Sequence, residues 1–452
     1  MKTPAEHIGA WLADLEPDAL PRAVVDTVQR LLLDISGLII AARNADYVKS
    51  VLAATESGTC TAFGHADGRD PYSAALVNGT GAHGEDFDDT FEGGPVHSGA
   101  VIVPAVLAAC EREDLGGARL LVGIAAGVEL LCRLSLVAPK AIHRAGFHPT
   151  AVLGAIAASG AVATALGLAP GSAIAAIGIA GSMASGIIEY LAEGTWTKRM
   201  HAGWAAQSGL RAALLARAGF TGPRTVLEGT HGLFRAFAPS VAPDFSRLVD
   251  ELGREWVLPS LAFKPYACGT MTQPYVDCAI ALAERGVSAD DIVEIRCEFG
   301  EGTVHRLWEP LAEKQRPTTP YSGKFSTPYC MAVGFFDRAA GFAQFSEARL
   351  ADPAVINLAS RIRYVIDPDN EYPRNFTGHL RATLRDAQVI ELRQNHMRGG
   401  ARNPLSDREI EAKFFENALY GGWDRERAEQ LRTWTYSVLS ARDLGELHMF
   451  RG

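Results

Sequence analysis

Residues 83–90 run His-Gly-Glu-Asp-Phe-Asp-Asp-Thr, and Phe91-Glu92-Gly93-Gly94-Pro95-Val96-His97-Ser98 follows. The carboxylates Glu85, Asp86, Asp88 and Asp89 therefore stand between two imidazoles, His83 and His97. Three chemistries use such a grouping. Imidazole and carboxylate are ligands for a divalent metal. Asp88 to Glu92 also fits a loose acidic pattern for a magnesium diphosphate, although no later helix carries the second ligand set that this chemistry needs. The third is general acid or base catalysis, with His97 moving the proton and the carboxylates orienting it. A structural use competes with all three. Asp and Ser are preferred at helix N-termini, and Ser98 is placed to cap a helix starting near Ala100.

Four further segments carry reactive groups. Gly146-Phe147-His148-Pro149-Thr150 puts His148 just before an Ala-rich helix. An imidazole at a helix N-terminus resists protonation, which suits a neutral proton donor or acceptor. A histidine before proline is also a common structural residue. Residues 194–203 contain Lys198, Arg199 and His201 ahead of a helix of small residues. Adjacent cations suit a polycarboxylate or a phosphate, or else a solvated loop. Lys264, within Phe263-Lys264-Pro265-Tyr266-Ala267-Cys268, is the sole charged residue between Glu255 and Asp277. It sits where a helical region gives way to a mixed one, a place for a pocket or a hinge. Tyr329, within Lys324-Phe325-Ser326-Thr327-Pro328-Tyr329-Cys330, opens another helix and offers a phenolic hydrogen bond or a packed ring.

The elements that hold these groups are mostly helical up to about Pro259. Apolar residues recur near a 3.6 period over residues 21–42, 72–82, 100–113, 116–136, 150–168, 171–190 and 203–218. Alternation typical of strands starts only later, at residues 291–300, 361–367, 378–384 and 388–393. Helical stretches lie between them at 275–285, 329–337 and 351–359, and the tail is helical again over 407–419 and 425–441. The tail is expected to return to the first helical domain.

Composition narrows the classes. The chain has 452 residues, 48% apolar and 21% charged, with a net charge of −9. That is a globular composition with room for two or three domains. No dense Lys/Arg run exists, so a nucleic-acid partner is not expected. Seven cysteines are scattered without a C-x-x-C, which gives no zinc spacing and fits a reducing, cytoplasmic setting. The first residues lack the apolar centre of a secretory signal. Residues 149–188 carry no charge, yet their small residues and the Pro170-Gly171 break point to two buried helices rather than a membrane span. No P-loop, dinucleotide fingerprint, G-x-S-x-G or H-E-x-x-H is present, which argues against nucleotide, serine-hydrolase and zinc-protease chemistry.

Taken in order, these segments resemble the MmgE/PrpD family, which includes 2-methylcitrate dehydratases, cis-aconitate decarboxylases and iminodisuccinate epimerases. The resemblance is carried by residues 78–90 with His97-Ser98, by 146–150, by 198–203 running into Ala205-Ala206, and by 219–223 with 227–229. It continues through 263–266, 324–329, 403–406 and Lys413-Phe414, and so spans nearly the whole chain.

The resemblance implies a mostly α fold. A large all-helical domain would comprise residues 1–262 and 400–452, and an inserted α+β lid, residues 263–399, would carry a small antiparallel sheet. It implies a homodimer, without membrane attachment, that acts on a di- or tricarboxylate and uses no metal and no organic cofactor. By analogy the catalytic pocket comprises Asp86, Thr90, His97, His148, Lys198, Lys264 and Tyr329. Arg199, His201, His83 and Cys268 are the accompanying substrate contacts.

Two departures stand out. Ala267-Cys268-Gly269 follows Lys-Pro-Tyr where many members have Pro and then Cys, His or Arg, and Gln273 stands where His is often found. That implies one basic lid contact fewer and favours a smaller substrate. Gly93-Gly94 also alters the loop between Thr90 and His97. The expected reaction moves a proton at a carbon next to a carboxylate, as a lyase or as an epimerase. A non-catalytic ligand binder is the third possibility, disfavoured because both lysines and both histidines of the pocket are present.

Overall fold

The computed structural model describes residues 2–94 and 96–452. The chain divides into two units. The first runs to Leu261 and resumes with Asp407–Gly452; the second is Ala262–Ser406.

The first unit is built from helices whose ends are marked in the sequence. Thr3 and Glu6 form a capping box on the Pro4–Asp14 helix. Asp70 accepts from the Tyr72 and Ser73 amides to start the Pro71–His83 helix, with Pro71 at its first position. Pro149 plays the same part for Pro149–Ala165. In Arg22–Ala42 the residues Val24, Val28, Leu31, Ile35 and Leu38 follow a helical spacing and are all buried. The Asp407–Tyr420 helix packs on Arg22–Ala42, so the tail completes this unit.

Small residues set how closely the helices approach. Thr197–Arg217 packs on both Pro71–His83 and Pro149–Ala165. A Cβ on Gly203 would lie 2.2 Å from the Leu76 carbonyl oxygen, and one on Gly79 2.5 Å from the Gly203 Cα. Backbone therefore meets backbone at this crossing, which brings the first turns of Thr197–Arg217 beside the 83–90 loop.

Several boundaries differ from the periodic pattern. Thr197–Arg217 begins six residues ahead of Gly203, so Lys198, Arg199 and His201 are helical residues rather than a loop before the helix. Their polar side chains hide the apolar period. The uncharged stretch gives Pro149–Ala165 and Pro170–Met183, and the latter ends well before Tyr190. Ala184, at ψ 132°, already leaves the helix, and the carbonyl of Gly186, at φ +118°, accepts from the His148 amide. Two short strands, Ser57–Cys60 and Thr90–Phe91, also occur where alternation gives no sign of them. Gly117–Val137 is long and apolar enough to cross a membrane, yet 94% of its apolar window is buried among the other helices.

The second unit carries a four-stranded sheet in the order Ile362–Ile366, Ile292–Phe299, Gly378–Leu384, Val389–Gln394. Ile292, Ile295, Cys297 and Phe299 are buried on the central strand, and the Gln273–Glu284 and Thr327–Asp337 helices belong to the same unit. Three strands pair antiparallel, but Ile362–Ile366 runs parallel to Ile292–Phe299. The sheet is thus mixed where an antiparallel one was expected, because alternation along a strand is the same in either direction.

Candidate active site

One loop and four helix ends of the first unit meet here. His83 closes Pro71–His83, His97 precedes Gly99–Arg112, His148 stands at the N-cap of Pro149–Ala165, and Lys198 and His201 lie in the first turns of Thr197–Arg217. Residues 84–90 thread between them.

Asp89 ties the loop to the bundle. Its Oδ1 accepts from the Gly99 amide at 2.8 Å and its Oδ2 from the Ser98 amide at 2.9 Å. Asp89 therefore caps the Gly99–Arg112 helix from a distance in sequence. Ser98, expected as the cap, makes no capping hydrogen bond, because its backbone is already helical at φ −77°, ψ −43°. Burial first, and then Asp88, push the Asp89 carboxyl up to about 7, against the two amide donors that lower it.

Asp88 sits between two imidazoles. It is 2.8 Å from His83 Nδ1 through Oδ2 and 3.5 Å from His97 Nδ1 through Oδ1. The Asp89 carbonyl oxygen is nearer still to His97 Nδ1, at 2.8 Å. A carbonyl only accepts, so this nitrogen carries a proton and Nε2 is the basic atom of the neutral ring. The His97 amide donates to Thr150 Oγ1 at 3.2 Å, which fixes the backbone under the ring. His83 Nε2 is buried with no hydrogen-bond partner among the described residues. Ligand atoms of His83, Asp88 and His97 lie within 4.8 Å of one another, so this cluster has the donor set for a metal ion as well as for proton transfer.

The rings form a group of four. His83 lies 4.9 Å from His97 and 5.5 Å from His148 between centroids, His97 lies 6.4 Å from His148, and His201 is 5.3 Å from His148. His148 Nδ1 and His201 Nδ1 are 3.2 Å apart. One must donate and the other accept, so the pair holds a single proton between these atoms and resists a second charge. Burial, reinforced by the positive charge that His83 and Lys198 can carry, holds His148 well below the ordinary imidazole value. The same causes hold His201 at about 4.

Both cations of the Lys198-Arg199 pair are matched by acids from the loop. Lys198, 5% exposed, pairs with Asp86. Arg199 pairs with Glu85 at 3.1 Å and lies 4.4 Å from the centre of the Tyr47 ring. A solvated surface pair is therefore excluded. Asp86 takes φ +56°, a left-handed conformation that a residue with a Cβ enters only where its surroundings enforce it. Thr90 is buried in the two-residue strand that follows.

A cleft of about 500 Å³ reaches this group at His201. His201, Tyr190, Met200, Trp204, Ile187 and Glu189 are among its walls. Tyr190 was not singled out from the sequence. It sets its ring edge-on to His201 at 5.8 Å, and nothing in its local pattern marks it. Asp88 and Asp89 were seen only as part of an acidic run, without their separate partners.

The remaining expected residues belong to the second unit. Lys264 is 2% exposed and Cys268 is buried. Tyr329 is buried, and its hydroxyl donates to the Gln344 carbonyl at 2.6 Å. Burial, above all, raises that hydroxyl's pKa. Gln273 spans a turn, its amide donating to the Tyr266 and Cys268 carbonyls at 3.2 Å each. A neutral histidine has one N–H and could not make both bonds.

The titration shifts give opposite signs. His201 is lowered from 6.5 to about 4, so between those values the unfolded chain binds more protons. Its contribution to stability is full above about pH 6.5 and is lost as pH falls through about 4. Asp89 is raised from 3.8 to about 7. Its contribution is full below about pH 4 and is lost as pH rises through about 7. Each slope is at most about 1.4 kcal/mol per pH unit. Thermal melts across this range are expected to show His201→Gln flattening the acid side of the curve and Asp89→Asn the neutral side. Curves parallel to wild type for both variants would refute the assignment.

Comparison with known proteins gives two family matches and several relatives. The MmgE/PrpD N-terminal domain matches residues 6–246, and the MmgE/PrpD C-terminal domain matches residues 266–434. A cis-aconitate decarboxylase of Aspergillus terreus (strain NIH 2624 / FGSC A1156) is 29% identical over 435 residues, covering 89% of this chain and 87% of the relative. The cis-aconitate decarboxylase of Homo sapiens is 28% identical over 438 residues, covering 92% and 88%. The cis-aconitate decarboxylase-like protein oryM of Aspergillus oryzae is 26% identical over 465 residues, covering 97% and 95%.

Proposed function

We propose that this chain, which belongs to the MmgE/PrpD family, is a lyase that acts on a di- or tricarboxylate without a cofactor. The observation that carries the proposal is a buried cation, Lys198, on the same helix end as His201, whose ring joins the group of four imidazoles and lines a cleft. The names of its relatives favour loss of carbon dioxide from a cis-aconitate-like acid over loss of water from a 2-methylcitrate-like one.

Such reactions pass through a state with excess negative charge next to a carboxylate. In decarboxylation, the electrons of the broken C–C bond enter an unsaturated acid, and one proton returns to carbon. Lys198 stabilises that charge, and does so more strongly in a buried site than in water. His97 carries the proton. Its neutral form accepts at Nε2, and its cationic form is stabilised by the Asp89 carbonyl at 2.8 Å and the Asp88 carboxylate at 3.5 Å. His148 stays neutral and serves as a hydrogen-bond donor, with His201 directing its proton. Asp86 orients Lys198, and Thr90 holds the loop's exit. His83, its Nε2 unengaged among the described residues, and Arg199 bear on the substrate. Lys264, Cys268 and Tyr329, like the homodimer, enter the proposal through the family resemblance alone.

A second reading has one observation in its favour. His97 and His148 are separate imidazoles with centroids 6.4 Å apart, as a two-base epimerase of a dicarboxylate requires. Proton NMR in D₂O separates the two. The panel is cis-aconitate, 2-methylcitrate, citrate and iminodisuccinate. New vinyl signals with carbon dioxide released mark a carboxy-lyase, and water loss marks a hydro-lyase. Deuterium entering an unchanged skeleton selects the epimerase. Silence across the panel, from folded protein, refutes both.

A further inference from the structure

Lys413 lies on the Asp407–Tyr420 helix, beyond the second unit in sequence, and has no part in the chemistry above. It is nevertheless only 6% exposed. Its ammonium pairs with Asp34 of the Arg22–Ala42 helix at 2.8 Å. It also donates to the Phe87 carbonyl at 2.8 Å and lies 4.1 Å from the centre of the Phe87 ring. Burying an ion pair costs desolvation that its own attraction barely repays, so a pair alone is a poor reason for a lysine here. The contact with Phe87 gives another.

Phe87 is the middle of the site loop. Asp86 before it pairs with Lys198. Asp88 after it meets His83 and His97. Asp89 then offers its carbonyl to His97 and its carboxylate to the Gly99–Arg112 helix. All five contacts depend on the path of the backbone through 86–89. Lys413 reaches that path from 326 residues away in the chain.

We infer that Lys413 is a positioning residue: with Asp34 as counter-ion, it holds the Phe87 carbonyl and so sets Asp86 and Asp88 against Lys198 and the histidines. The catalytic consequence rests on the lyase reading above; the placement of the loop does not.

Lys413→Met alone would take a counter-ion from Asp34 in the interior and could fail to fold. The test is therefore the double variant Asp34→Ala/Lys413→Met, which removes both charges. Its melting temperature is expected to stay near that of wild type. Hydrogen exchange over residues 84–91 is expected to rise about tenfold or more, while the other helices keep their protection. On whichever acid wild type turns over, kcat is expected to fall about 10- to 100-fold with KM within about threefold, as for misplaced catalytic groups. Unchanged exchange in 84–91 overturns the inference. So does faster exchange with full turnover. A lowered melting temperature with exchange raised across the whole first unit makes the pair a general bridge, and overturns it too. If wild type turns over nothing, the lyase reading fails by itself, and the exchange data still decide the loop.

Discussion

Lys198→Ala is expected to lower turnover by about two decades or more. The size follows from where the ammonium sits. It is buried, paired with Asp86, and its charge acts on His148 and His201. A charge preorganised in a water-poor site stabilises a developing anion without having to reorient when it forms. The same substitution also removes Asp86's cation in the interior, which costs about 3–5 kcal/mol in comparable pairs. The two effects must be separated. Asp86→Ala/Lys198→Ala removes both charges, so its melting temperature should recover while turnover does not. Carbon dioxide or vinyl-product release, measured beside thermal melts, makes the distinction. Turnover that returns with stability assigns Lys198 a structural role only, and wild-type turnover in Lys198→Ala removes it from the site.

The pairing just used was not readable from the sequence. The cations of residues 194–203 were plain, but their place was not. In Thr-Lys-Arg-Met-His, Lys198 and Arg199 turn to Asp86 and Glu85 and His201 to His148, so the segment lacks the apolar stripe by which a helix is recognised. The acids posed the reverse problem. Four carboxylates in a short run are interchangeable by composition, and each took a different partner: Glu85 took Arg199, Asp86 took Lys198, Asp88 took His83, and Asp89 took a helix N-terminus. Such assignments are tertiary. They depend on the crossing of Thr197–Arg217 over Pro71–His83 at Gly203 and Gly79, which no local pattern contains.

What was legible had local causes. His148 was expected just before an Ala-rich helix, and it stands there as the N-cap, with Pro149 at the first helical position. The strand at Ile292–Phe299 followed from alternation, and the long apolar helices from their period. The exit from Pro170–Met183 was missed because its sequence remains apolar. There the backbone turns extended at Ala184, a change that the composition does not mark.

The second large effect is expected at His97. His97→Ala should lower kcat by about two to four decades, the range for loss of a general acid or base. The argument turns on which nitrogen is available. Nδ1 is engaged by the Asp89 carbonyl at 2.8 Å, so proton transfer to substrate has to use Nε2. None of the other three imidazoles is an equivalent replacement. His148 and His201 are held neutral by burial and by each other. His83 is turned to Asp88 through its own Nδ1. KM should change little, because the substrate's charge is met by Lys198. Added imidazole is expected to restore part of the rate by filling the vacated space, with a pH dependence set by the free base. The His97→Ala enzyme itself should lose the limb of the kcat/KM profile that the ring supplies. A variant that keeps this limb, or keeps the wild-type rate, moves the proton to another group, and His148 then becomes the ring to replace.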